Sequence, residues 1–141
     1  MQFLNYNKVR LAKAAASAAA SDVESDAVDM AHMEQVTFLA TIATANAGNY
    51  MTVQQSATSG FESAETLEDA KAIAAEDGDV VAVNVFRPLK RYVRAVIDRG
   101  GTNTATGQIY VIQSGARTVP VDNNEDDEIV STIVVSPAEA E

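Results

Sequence analysis

Apolar and polar residues alternate with a period of two through most of the middle of this 141-residue chain. That rhythm restricts the fold more than any other feature, because side chains leave a strand on alternate faces. In Glu34–Ala43, Val36, Phe38, Ala40 and Ile42 fall on one face and Thr37, Leu39 and Thr41 on the other. Residues Asn46–Asn49 are turn formers, and Tyr50–Ser56 alternates again, so 34–56 reads as a hairpin. Asp79–Phe86 is nearly continuous in Val and reads as a strand buried on both faces. Pro88 ends it for want of an amide hydrogen, and Arg91–Asp98 resumes the alternation. Ala27–Met30 and Gly107–Ser114 supply further strands. Between strands, Leu67, Ala70, Ile73 and Ala74 recur at helical spacing, which predicts one short helix over about 61–76, ended by Gly78. The expected fold is all-β: a β-sandwich or small barrel with one minor helix.

The two ends of the chain break this rhythm. Residues 1–21 carry Phe3, Leu4 and Tyr6, then Lys8, Arg10 and Lys13, then a run of alanines. They read as an extended N-terminal arm outside the sandwich of 22–121, with Phe3, Leu4 and Tyr6 as anchors on a partner. The alanine run is short, weakly apolar and interrupted by Ser17, which is unlike a signal peptide. Residues 122–141 form an acidic extension: Asp122–Glu128 holds five acids, and the apolar, β-prone stretch 129–135 reads as one further strand.

Composition excludes several function classes. A net charge of −10 opposes general binding of nucleic acid, since phosphate is repelled. No apolar run approaches the ~20 residues of a membrane-spanning helix. Without cysteine there is no disulfide, thiol nucleophile or thiolate metal site. His32 is a lone histidine and a poor metal ligand by itself. Adjacent acids at Glu68-Asp69, Glu76-Asp77 and Asp126-Asp127 read as solvated charge. No motif assembles a nucleophile, a base and an oxyanion site. The expectation is a protein without cofactor or catalysis.

One segment reverses the charge of the chain. Arg87, Lys90, Arg91, Arg94 and Arg99 are five of its ten basic residues. Two readings stand side by side. They pair with acids of the same domain, or, with Tyr92, they form a contact patch for another protein. Tyr92 and Arg94 share a strand face while Arg91 lies opposite, so the charges do not make one continuous stripe.

The segment Asn84-Val-Phe-Arg-Pro-Leu-Lys-Arg-Tyr-Val-Arg-Ala-Val-Ile-Asp-Arg-Gly100 resembles the capsid cement, or decoration, proteins of tailed double-stranded-DNA bacteriophages. Gln113-Ser-Gly-Ala-Arg-Thr-Val-Pro120 and Asp26-Ala-Val-Asp-Met-Ala-His-Met-Glu-Gln-Val-Thr-Phe-Leu-Ala40 are similar to its later and earlier patterns. The resemblance covers about residues 22–121. It implies a jelly-roll-like sandwich, dimeric or otherwise clustered with itself. Such a protein is made in the host bacterial cytoplasm and binds the outer surface of the head, where it staples major capsid protein subunits. The residues expected to meet partners are Phe3, Leu4, Tyr6, Arg87, Lys90, Arg91, Tyr92 and Arg94. A head–tail or tail accessory role, or a surface-binding sandwich module, are the other roles such a chain could fill.

Overall fold

Val36, Phe38, Ala40 and Ile42 all lie buried on one face of a strand, as the alternation requires. The computed structural model describes residues 2–45, 49–100, 103–124 and 129–133. In chain order its elements are a helical turn α1 (Phe3–Tyr6), then β1 (Asn7–Lys13), β2 (Ala16–Ala19), β3 (Val23–Glu24), β4 (Val28–Asp29), β5 (Gln35–Thr41) and β6 (Asn49–Ser56). There follow β7 (Glu65–Thr66), β8 (Ala72–Ile73), β9 (Val80–Phe86), β10 (Tyr92–Arg99), β11 (Thr104–Thr106) and β12 (Ile109–Ser114).

Two antiparallel sheets face each other. One has the order β1-β12-β5-β9. In the other, β10 lies beside β6, with β3 and β4 on the outer side of β10 and β7 and β8 on the outer side of β6. From β5 onward the long strands β5, β6, β9, β10 and β12 alternate between the two sheets, as in the winding of a jelly roll. Between the sheets, Val36, Phe38, Ile42, Ile109 and Val111 meet Met51, Val53, Val93, Ala95 and Ile97. Burying each large apolar side chain contributes about 1.5–3 kcal/mol. A small ribbon of β2 and β11 closes one end.

Several expectations change. Residues 34–56 are not a hairpin: β5 pairs with β9 and β12, while β6 pairs with β10 in the other sheet. The alternation identifies strands but says nothing of which sheet each joins. The turn residues 46–48 lie outside the described residues. Residues 61–76 are not a helix. Glu65–Thr66 and Ala72–Ile73 pair with the edge of β6. Leu67 and Ala70 pack on the core from the loop between them, in which Asp69 takes φ +59°. A helix this short is marginal alone, and the unpaired edge of β6 offers its backbone a better partner.

β9 is not buried on both faces. It is the terminal strand of its sheet; Val81 and Val83 point inward, whereas Val80, Ala82, Asn84 and Phe86 are exposed. Among the described residues no third layer covers the outer face there. Nor is 1–21 a detached arm. β1 pairs with β12 from Asn7↔Ser114 to Lys13↔Ile109. Arg99, only 4% exposed, fastens the alanine-rich stretch by donating to the carbonyl oxygens of Ser17 and Ser21 as well as Thr104. The alanine run has little to bury, and its carbonyls are held instead by one buried guanidinium. Of the expected strand at 129–135, residues 129–133 are irregular, with Ser131 bonded to Asn124, and 134–135 lie outside the described residues.

Candidate contact surface

The chain crosses from β9 to β10, and so from one sheet to the other, through Arg87-Pro-Leu-Lys-Arg91. Arg87 takes φ +52°, its N–H donates to the Glu34 carbonyl at 2.8 Å, and Pro88 cannot extend the ladder. This throws the next residue outward. Leu89 is 91% exposed, and Phe86 at the end of β9 is 57% exposed. The Arg87 guanidinium lies 5.0 Å from the Phe86 ring centre and 3.5 Å from a Glu34 carboxylate oxygen.

Each of the other predicted basic residues meets an acid of its own sandwich. Lys90 Nζ donates to Glu65 at 2.8 Å. Arg91 makes a two-pronged pair with Asp29, at 2.9 and 2.8 Å, and stacks 5.2 Å from the Tyr92 ring centre. Arg94 lies 4.4 Å from the Phe61 ring centre, donates to Gln54 at 2.9 Å and pairs with Glu24 at 3.2 Å. The hydrogen bond from Arg91 holds the Asp29 carboxyl below the usual carboxylate range, and Lys90 does the same to Glu65. The segment is thus a set of tethers. They fix the shape of the β9–β10 crossing and leave its apolar tip, Leu89, projecting.

The predicted anchors lie at the same end of the molecule. Asn7 is in register with Ser114, Ser114 with Gln35, and Gln35 with Phe86. The helical turn before Asn7 and the crossing after Phe86 therefore flank the same rim, about 14 Å apart across three strand spacings. Phe3 (52%) and Tyr6 (39%) are exposed on that turn. Leu4 is half-buried and lines a shallow pocket together with Val121 and Ile133. Between the two groups lie His32, at φ +66°, and Arg117, whose N–H donates to the His32 carbonyl at 3.0 Å.

Of the residues the sequence singled out for contact, the structure places Phe3, Tyr6 and Arg87 on one rim; the sequence reading missed Leu89 and Phe86, the most exposed apolar groups on it. A leucine directly after Arg-Pro was the available signal, since a residue flung out by a proline-terminated strand has no face to bury against. Tyr92 and Arg94 lie instead on the outer face of the six-stranded sheet, Arg94 held beneath Phe61. Among the described residues no cluster of His, Asp and Glu could hold a metal ion, and no helix is long and apolar enough to cross a membrane.

No protein-family model matches the chain, and no curated protein matches it. Among solved structures, it is similar to a Clostridium thermocellum structure of the N-terminal CBM22-1–GH10 modules of endo-1,4-beta-D-xylanase 10B complexed with xylohexaose. The identity is 11%, the TM-score 0.45, and the match covers 86% of this chain and 28% of that one. The chain thus spans under a third of the length of that structure.

Proposed function

We propose that this chain is a structural virion protein of a tailed double-stranded-DNA bacteriophage, one that binds the outer surface of the head and holds adjacent major capsid protein subunits together. The observation that carries this reading is the rim on which Phe3, Tyr6, Phe86 and Leu89 stand exposed. Its crossing is the very segment, Arg87–Arg94, whose pattern resembles the capsid cement proteins. A jelly roll stiffened by tethers suits a protein that contributes shape and grip rather than chemistry. Because a capsid repeats the same site over a closed lattice, a small apolar contact per copy adds up across many copies. Exposed apolar groups ringed by paired charges resemble the centre and margin of a protein interface.

The test uses purified protein added to undecorated heads. Occupancy is read by electron microscopy and head integrity by survival of heat or osmotic shock. Decoration should saturate at one site type on the outer surface and raise the temperature at which heads release DNA. Leu89→Ser, and Phe3→Ser with Tyr6→Ser, should lower occupancy without loss of folding. These point changes are preferable to deleting the first twenty residues, because β1 belongs to the sheet. Undecorated heads at saturating protein overturn the reading. A few copies confined to the portal vertex would move the protein to the head–tail junction.

A further inference from the structure

The two outer edges of the four-stranded sheet are treated very differently. At β1 the edge carries Lys8, Arg10 and Lys13, and Asn123 reaches over it to accept the Val9 N–H at 2.6 Å. At β9 the edge is Val-Val-Ala-Val-Asn-Val-Phe, with no charge and no proline. Natural sheets blunt such edges, because a bare row of N–H and C=O groups recruits another strand. Here the bare row borders a groove whose other bank is the loop of residues 67–71.

The open groups can be assigned. The Asp79 carbonyl accepts from Ile42 N at 2.9 Å, and Arg87 N donates to the Glu34 carbonyl at 2.8 Å, so both residues face β5. Backbone polarity alternates along a strand. Val81, Val83 and Val85 therefore also face β5, while Val80, Ala82, Asn84 and Phe86 aim their N–H and C=O groups outward. No other described segment hydrogen-bonds to them.

We propose that β9 pairs antiparallel with β9 of a second copy about a two-fold axis at Val83, joining two four-stranded sheets into one. In that register every outward residue meets an outward residue. Ala82 pairs with Asn84 of the second copy and Val80 with its Phe86, giving on the order of eight new backbone hydrogen bonds. The two exposed apolar residues at the ends of the strand, Val80 (64%) and Phe86 (57%), then cover each other twice. The charges agree as well. Arg87, just past one end of β9, falls opposite Asp79 of the second copy, just past the other end. The acidic approach Glu76-Asp77 correspondingly faces the basic crossing. Because a two-fold pairing uses the same edge on both copies, this contact closes at two copies and does not grow into a fibre. The inference stands apart from the capsid reading: it concerns free protein and does not involve Leu89.

Sedimentation equilibrium of the full chain, from micromolar to millimolar, tests it. A monomer–dimer equilibrium is expected. Ala82→Pro removes one outward N–H per copy without touching the β5 ladder, and should weaken the dimer about tenfold or more. Ala82→Lys should do the same, and serves if the proline variant misfolds. The chain has no cysteine, so Val83→Cys should form an intermolecular disulfide on mild oxidation, and Val81→Cys should not. A monomer at millimolar concentration overturns the proposal. So does a dimer that survives both Ala82 variants, or one that is lost instead on removing residues 129–141.

Discussion

The side-chain oxygen of Asn123 accepts the backbone N–H of Val9 at 2.6 Å, and its amide nitrogen donates to the carbonyls of Leu4 and Asn7 at 2.8 and 3.0 Å. One buried amide thus replaces the neighbouring strand that β1 lacks, and joins segments 114 residues apart. Asn123→Ala leaves these backbone groups without partners and should lower stability by about 1–3 kcal/mol. Urea unfolding measures this, and amide hydrogen exchange at Val9 should accelerate with it. Asn123→Asp keeps the acceptor but loses both donated bonds, so it should not restore stability.

The pair Arg91–Asp29 gives the chain an acid-sensitive contact. The Asp29 carboxyl is held below its ordinary value of 3.8, chiefly by the hydrogen bond from Arg91. Its stabilising contribution is therefore complete above that value and is lost as pH falls through the lower, folded one. Arg91→Met should lower Tm at pH 7, and the gap from the unaltered protein should close in strong acid. A gap that stays constant from neutral to strong acid counts against the contact.

Asp22 runs the other way. Burial, then Asp98 and Glu24, push its carboxyl up from 3.8. Its ionised form is disfavoured in the folded protein, so the group favours folding at low pH and that help is lost as pH rises through the folded value. Asp22→Asn should give a small rise in Tm at pH 7 and none well below 3.8. Thermal melts over that range decide it.

Two glycines separate backbone strain from crowding. Gly78 has φ +84° with open space around it, so Gly78→Ala should cost about 1–2 kcal/mol from conformation alone. Gly115 has φ +75°, and a Cβ there would overlap the Cβ of Glu34. Gly115→Ala should cost about 2–5 kcal/mol, the same strain with overpacking added. It should also disturb the Arg87–Glu34 link at the rim; on the proposed capsid role, a drop in decoration beyond the loss of folded protein would report this.

Arg94 distinguishes a tether from a contact residue. Arg94→Lys keeps the charge but loses the planar stack on Phe61 and the donation to Gln54, and should cost about 1–2 kcal/mol. On the proposed capsid role, and with Arg94 as a tether only, the folded fraction of this variant should decorate heads to the same extent as the unaltered protein.

Much of the sheet was legible because strand alternation is local. Val36, Phe38, Ala40 and Ile42 declare their face within one stretch of chain. What failed was whatever depended on a distant partner. Leu67 and Ala74 have helical spacing, yet their N–H groups donate to the carbonyls of Val53 and Asn49 in β6. Val80–Phe86 looks apolar enough for an inner strand, and only the sheet order makes it an edge. The basic segment was ambiguous for the same reason. Glu24, Asp29 and Glu65, which engage Arg94, Arg91 and Lys90, lie 70, 62 and 25 residues away.

The pairing of β1 with β12 also sets an order of events during synthesis. Asn7 leaves the ribosome before its partner Ser114, which follows more than a hundred residues later. β1 must therefore wait, without this partner, until the residues between the two strands and β12 itself have emerged. Closing so long a loop slows folding, and an unpaired strand is exposed to other chains meanwhile. Lys8, Arg10 and Lys13 give that waiting strand three positive charges, so nascent copies repel one another until β12 arrives.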